Sequence, residues 1–599
     1  MLKRDQLLER LSILTIFLVA ISYAPRFWDP TVFPKVAVAS VLGAVMLSLT
    51  IPILARRKEL PIRIFIYGFI LLLVLGLVST FFSNDWFAGF FGAALRLNGF
   101  FSFHIAFSFI LIGMAIYRKS FVIQLLWLLS ILTFTQNILG LNQDSGFQLI
   151  SAKNLYSPII GSFGNPNYLS AFLGFGSIAS LFLLKIVRSG PYRIFLSINI
   201  LLSLYLILRS QSIQGLFMFG LGLAVLILYL TVNKGRVFLA AYLTVLLSLS
   251  PVVIIGLLGR GPLAVLLYQE STFLRFDYWR IALNMIRENP LFGVGPDQFG
   301  YAYITYRDAL SVSRENNIVV DSAHNMLLQV ASTYGLLYAS VFFSLLSTVV
   351  FIGLKLILSR KVSLQVESVA IVALWLAFVA QSSISVDSVS ALVPGFFFGG
   401  LVIGLWSQGS NASQPEIRKK RPIFTKHSKL SVSTTAVASF ASLLTLLPTY
   451  NMYSVASLVR DNFSSPGTQI SIDEINKRLQ VATLVGNGDR YLWSRIANFR
   501  YGSGDIETAR AILEQSRDAF PNYPTIMDFQ AQLAVAEERP LDAIRLRKEI
   551  YSIDKVNIIN IKEILVISRQ LGDRETFNFF YEIGVGINAS FFSDVETEW

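Results

Sequence analysis

The sequence contains three histidines, His104, His324 and His427, and no cysteine. His324 stands just before a long apolar run, in Asp321-Ser322-Ala323-His324-Asn325. An imidazole has an ordinary pKa near 6.5, so its neutral form is suited to take a proton from an attacking hydroxyl. The same histidine also reads as part of a helix's first turn, with Asp321 or Ser322 as the cap. Three arginines, Arg96, Arg275 and Arg280, lie in the polar segments between apolar runs or at their edges. A guanidinium offers a rigid fork of donors that stabilises growing negative charge. At a membrane edge it can instead snorkel towards lipid headgroups. Arg280 falls close to Arg275 around a helix and serves equally to neutralise Asp277. Asn165-Pro166-Asn167 starts a helix, with Asn165 as cap and Pro166 in the first turn. Such a start also presents backbone N–H groups to a phosphate. Gly293, Gly295 and Pro296 read as a tight turn that shapes a site. The lack of cysteine removes disulfides, thiolate catalysis and Cys-based zinc sites together.

The elements that must position these residues are membrane spans. The 599 residues are 54% hydrophobic and 15% charged, with a mean hydropathy of +0.59, against roughly 25% charged in soluble proteins. Apolar runs long enough to cross a bilayer fall at 11–24, 33–54, 63–82, 99–117, 120–140, 167–187, 192–209, 213–232, 237–258, 326–354, 366–386, 390–406 and 430–448. That is about 12–13 transmembrane helices. The first run is compatible with an uncleaved signal-like segment, because no small-residue cleavage site follows it cleanly. The net charge of +13 does not require nucleic acid, because the basic residues sit in alternate loops. These are Lys3, Arg4 and Arg10; Arg56, Arg57, Lys58 and Arg63; Arg118 and Lys119; Lys185, Arg188 and Arg193; Lys234 and Arg236; Arg360 and Lys361; and Arg418 to Arg421. Under the positive-inside rule every loop falls into phase with a cytoplasmic N-terminus. Segments 83–98, 141–166, 209–212 and 259–325, and all residues after about 449, then lie outside the cytoplasm. The loop 259–325 is the longest between spans, and loops beyond about 12–15 residues are usually functional or disordered. Its amphipathic stretch, Phe276 to Ile286, argues for order.

From Tyr450 the composition turns polar and helical. Gly504-Asp505-Ile506-Glu507-Thr508 returns as Gly572-Asp573-Arg574-Glu575-Thr576, two units of about 34 residues apart, the tetratricopeptide spacing. Ala509 and Ala543 start similar helices one unit apart, and Ile475 lies one unit further upstream. The expected architecture is all-α: a polytopic membrane domain over 1–406, a basic cytoplasmic linker over 407–429, a last span at 430–448, and an extracytoplasmic α-solenoid over 450–599. Stacked helix pairs of this kind bind extended ligands or partners on a concave face. A plain helical bundle is the alternative for the tail.

Three external segments, in order, carry a resemblance. They are Phe82-Ser83-Asn84-Asp85-Trp86 continuing through Gly92 and Arg96 to Asn98-Gly99; Gly161-Ser162-Phe163-Gly164-Asn165-Pro166-Asn167-Tyr168; and Arg275 through Trp279 and Asn289-Pro290-Leu291-Phe292-Gly293-Val294-Gly295-Pro296 to His324-Asn325. Over roughly residues 80–400 the chain resembles the O-antigen ligase and polymerase family of membrane glycosyltransferases, some of which carry a helical-repeat tail. The resemblance implies an enzyme of the bacterial inner membrane. It would transfer or polymerise a glycan from an undecaprenyl-diphosphate donor onto a glycan, lipid or protein hydroxyl, on the external face. Inversion at the sugar is implied, without cofactor or metal. Divalent-cation-dependent membrane glycosyltransferases place acidic ligands in early external loops, where this chain offers only Asp29. His324, Arg275 and Arg96 become the candidate catalytic residues; Arg280, Arg209, Asn165 and Asn325 the candidate substrate-binding ones. One departure stands out: the family's Ser-Arg-Gly-like motif reads Arg209-Ser210-Gln211-Ser212-Ile213-Gln214-Gly215, with Arg209 one helical turn early. A protein O-oligosaccharyltransferase is the alternative within the family. From other classes, a lipid-linked polysaccharide transporter predicts repeat symmetry and ionisable residues buried mid-span, and a tethered scaffold predicts far fewer spans. Neither pattern is seen. The repeat tail would guide the acceptor or recruit an envelope-assembly protein.

Overall fold

The computed structural model describes residues 4–595 except 26, 28, 95, 148, 151–153, 155–156, 269, 316, 360–363, 386–387, 412–427, 465–476 and 478–487. Arg360, Lys361, most of the basic linker and Ile475 of the repeat therefore lie outside the described residues. The described elements are all helical, with no strand among them. Among the described residues, nine helices are long and apolar enough to cross a membrane. They are α2 (Val32–Leu54), α3 (Leu60–Phe81), α6 (Lys119–Asp144), α7 (Pro166–Ile186), α8 (Gly190–Arg209), α9 (Gln214–Lys234), α10 (Arg236–Leu257), α16 (Leu336–Leu358) and α18 (Val389–Asn411). Two shorter apolar helices, α5 (Phe100–Ile116) and α17 (Val366–Ser382), are almost wholly buried among them. Lipid supplies no drive for apolar helices to associate, so close packing must. Gly113 of α5 and Gly400 of α18 supply it: a Cβ on Gly400 would stand 2.1 Å from the Ile110 carbonyl oxygen.

One expected span is broken. The run 326–354 forms two helices, α15 (Met326–Tyr334) and α16, separated at Gly335. Gly335 has φ +86, a region side-chain-bearing residues avoid, and a Cβ there would meet the Leu291 carbonyl at 2.1 Å. An unbroken apolar run hides such a turn, since hydropathy carries no signal for backbone angle.

Between α10 and α15 the long loop folds into α11 (Ala264–Leu267), α12 (Glu270–Glu288), α13 (Phe299–Tyr306) and α14 (Ala309–Glu315). The remaining membrane-side helices are α1 (Arg4–Ile21) and α4 (Trp86–Phe91). The tail follows the long α19 (Ser428–Ser464) with α20 (Arg490–Gly502), α21 (Ile506–Ala519), α22 (Pro524–Ala536), α23 (Pro540–Ile553), α24 (Ile558–Leu571) and α25 (Arg574–Asn588), each packed on its chain neighbours. The two Gly-Asp pairs that revealed the sequence period are one device used twice. Gly504 and Gly572 turn the chain with positive φ, and Asp505 and Asp573 then cap α21 and α25 by accepting from the N–H of Thr508 and Thr576.

Candidate functional site

The segment 92–99 carries Arg96, and three parts of the chain hold it. The turn after α12 runs back along α15, with the N–H groups of Val294 and Gly295 donating to the carbonyls of Ser332 and Thr333 at 2.9 and 3.0 Å. It ends on Asp297, whose Oδ2 accepts from the N–H of both Ala93 and Asn98 at 2.8 Å. From the tail, Asp489 caps α20 and accepts from the N–H of Ala94 at 2.9 Å and from the Tyr301 hydroxyl at 2.8 Å. Tyr453 of α19 donates to the Ala94 carbonyl. Arg490 pairs with Asp85 at 2.7 Å and lies 4.3 Å over the Tyr301 ring. Burial pushes the Asp297 carboxyl up to about 7 and the Asp489 carboxyl above its ordinary value.

So held, the Arg96 guanidinium donates to the Tyr168 hydroxyl at 2.9 Å and pairs with Asp321. Tyr168 is in the first turn of α7. The loop before it is fixed by α6, where Gln143 accepts from the N–H of Ile160 and Gly161 and Gln136 from that of Ser162. Burial raises the Asp321 carboxyl, but the Arg96 cation outweighs it and leaves Asp321 below the usual range. Burial likewise opposes the charge on Arg96, and Asp321 overcomes it, so the guanidinium is held more firmly protonated than usual.

His324 lies three residues after Asp321, with φ +50 and its ring 5.4 Å from that of Tyr278. Its Nδ1 is buried without a hydrogen-bond partner. Burial lowers its pKa to about 3, with Arg275 and Arg96 adding to the effect, so the ring is neutral at physiological pH. The cap of α15 is Asn325, which accepts from the Leu328 N–H at 3.1 Å. Ser322 instead accepts from the N–H of His324. Cap duty thus falls to Asn325, leaving His324 outside the helix turn expected from the sequence. Arg275, only 7% exposed, donates from Nη1 to the Ile384 carbonyl, and its Nε is buried without a partner. It has no carboxylate partner among the described residues, and burial lowers its pKa.

The other candidates are occupied. Arg280 makes a forked pair with Asp308 at 2.8 and 2.9 Å and a second pair with Asp277. Arg209 is exposed and grips Asp144 at 2.7 Å. Asn165 caps α7 by accepting from the Asn167 N–H at 2.8 Å. His104 is inside the bundle, bonded to the Phe100 carbonyl and the Tyr338 hydroxyl. Among the described residues no group of three or more His, Cys, Asp or Glu side chains could hold a metal ion.

Sequence reasoning passed over Lys35, because it falls inside an apolar run. It is 2% exposed, its Nζ has no hydrogen-bond partner, and it sits 5.0 Å from the Phe163 ring. With Arg96, Tyr168 and Ser390 it lines a cavity of about 20 Å³. A lysine at the end of a span, where most are exposed, was the available signal.

Residues 196–343 match the family model described as O-antigen ligase. The matched domain runs from α8 into α16 and contains Arg209, Arg275, Arg280, His324 and Asn325. Lys35, Arg96 and the whole tail lie outside it, so the site joins the matched region to segments on both sides of it in sequence. A comparison with curated proteins gave no match.

Proposed function

We propose that the chain transfers a glycan from an undecaprenyl-diphosphate donor to a hydroxyl acceptor on the extracytoplasmic face. The O-antigen ligase domain supports glycosyl transfer by a multi-pass membrane protein. The observation that carries the finer reading is His324: a neutral imidazole flanked by two arginines, one of them without a carboxylate partner among the described residues. The acceptor oxygen bonds to the anomeric carbon from the face opposite the leaving group, and its proton passes to His324. The anomeric C–O bond breaks, and its electron pair leaves on the diphosphate, which Arg275, Arg96 and Lys35 receive. Fixed cations placed where charge develops contribute several kcal/mol.

An imidazole of pKa about 3 is a weak base; burial is the largest cause, and the two arginines add to it. Part of the depression comes from Arg275 and Arg96. A diphosphate between them offsets those charges and raises the imidazole's basicity, so the base strengthens when donor arrives. The tail, read as a solenoid of helix pairs, roofs the site from outside.

The test is a deletion strain carrying wild type, His324→Ala or Arg275→Ala, with membrane levels matched. Lipid-linked glycan should accumulate unused in both variants. A wild-type glycan profile in both would overturn the assignment.

A further inference from the structure

A cavity of about 390 Å³ opens between the long loop and the tail, with Arg96 and Asp321 on its wall. It is of the size that takes small-molecule ligands. Its wall carries three ion pairs, Arg96 with Asp321, Arg307 with Asp554, and Arg547 with Asp528, and a fourth carboxyl, Asp297, whose pKa burial raises to about 7. With each arginine already answered by a carboxylate, the wall offers an ionic ligand little net attraction. Two rings, Tyr301 and Tyr523, lie edge to face at 5.8 Å on the same wall. Two buried polar atoms of residues lining it are unanswered: Arg547 Nε, a donor, and Asn317 Oδ1, an acceptor. Arg547 itself is 2% exposed.

The geometry points to a saccharide-binding subsite between loop and tail, for a neutral sugar whose hydroxyls meet that mixed wall and whose C–H face lies on the tyrosines. A hydroxyl both donates and accepts, as this pair of unanswered atoms requires. The aromatic rings give the apolar face of a pyranose a surface to cover. Resting on the transferase reading above, the sugar is the acceptor. The cavity reaches Arg96 and Asp321, next to His324, while the lipid end of a donor must lie on the bilayer side.

The test uses the full chain in nanodiscs against an array of neutral oligosaccharides built from hexoses, 6-deoxyhexoses and N-acetylhexosamines. Two exposed cavity residues on opposite walls, Val319 and Ile559, are each changed to Trp to fill the space without disturbing a core. Wild type should bind a subset of the array, His324→Ala should bind the same subset, and Val319→Trp and Ile559→Trp should each bind at least tenfold more weakly. Absence of binding to every sugar, or equal binding by both Trp variants, overturns the subsite. In turnover assays a raised KM for acceptor alone supports the acceptor, whereas a raised KM for donor alone keeps the subsite and assigns it to the donor glycan. Because binding is read without turnover, failure of the subsite and failure of the transferase reading give different results.

Discussion

Replacing Asp297 by Asn tests the clamp on the Arg96 segment. Asp297 is 8% exposed, and its carboxyl is raised from an ordinary 3.8 to about 7, chiefly by burial. Its folded pKa is above its unfolded one, so between about pH 4 and 7 the folded protein keeps a proton that the unfolded chain has released. Stability from this group is therefore full below pH 4 and is lost as pH rises through 7. At about 1.4 kcal/mol per pH unit the loss amounts to roughly 4 kcal/mol. An amide oxygen can accept from Ala93 and Asn98 as Oδ2 does, and it does not titrate. Unfolding midpoints in detergent micelles, followed by tryptophan fluorescence at half-unit steps from pH 4 to 8.5, should show Asp297→Asn gaining on wild type up to pH 7 and then holding level. Asp297→Ala should be less stable at pH 5 by about 1–3 kcal/mol for each N–H it orphans. Parallel wild-type and Asn curves would refute the argument, because they would mean that the carboxyl does not carry its proton into the neutral range.

Four other outcomes are expected. His324→Ala should lower kcat about 10²–10⁴-fold, the usual contribution of a positioned base, measured as product formed from lipid-linked donor at saturating acceptor. Lys35→Met should weaken donor binding at least tenfold with acceptor KM unchanged, by competition titration with undecaprenyl diphosphate; equal donor affinity would remove Lys35 from the site. Asp554→Ala leaves the buried Arg307 unpaired and should cost about 3–5 kcal/mol, seen as faster proteolytic release of the tail. Arg209→Ala, at an exposed pair with Asp144, should leave the unfolding midpoint essentially where it is in wild type and turnover within twofold.

Hydropathy marks most of the helical elements from the sequence, because a span is a composition before it is a shape. It misplaces the break at Gly335, where one residue's backbone angle decides and the neighbours stay apolar. For the site, residue type singles out His324, Arg275 and Arg96, but type cannot separate an available guanidinium from an occupied one. Arg280 and Arg209 read like Arg275 in sequence; Asp308 and Asp144, 28 and 65 residues away, make the difference. Asp297 and Asp489 are ordinary acidic residues in sequence, and only the folded chain brings them to the N–H groups around Arg96. Lys35 was hidden by the apolar run that identified its helix.

The hydrogen bond from the Ala94 N–H to Asp489 closes over 395 residues of chain. At a synthesis rate of about 5–20 residues per second, the segment bearing Arg96 waits on the order of 20–80 s for the carboxylate that completes its frame. A chain cut short by interrupted translation would insert its spans yet leave that segment loose. Assembly thus has an order: the frame around Arg96 is completed only once the tail has been made, and a half-made chain in the bilayer lacks it.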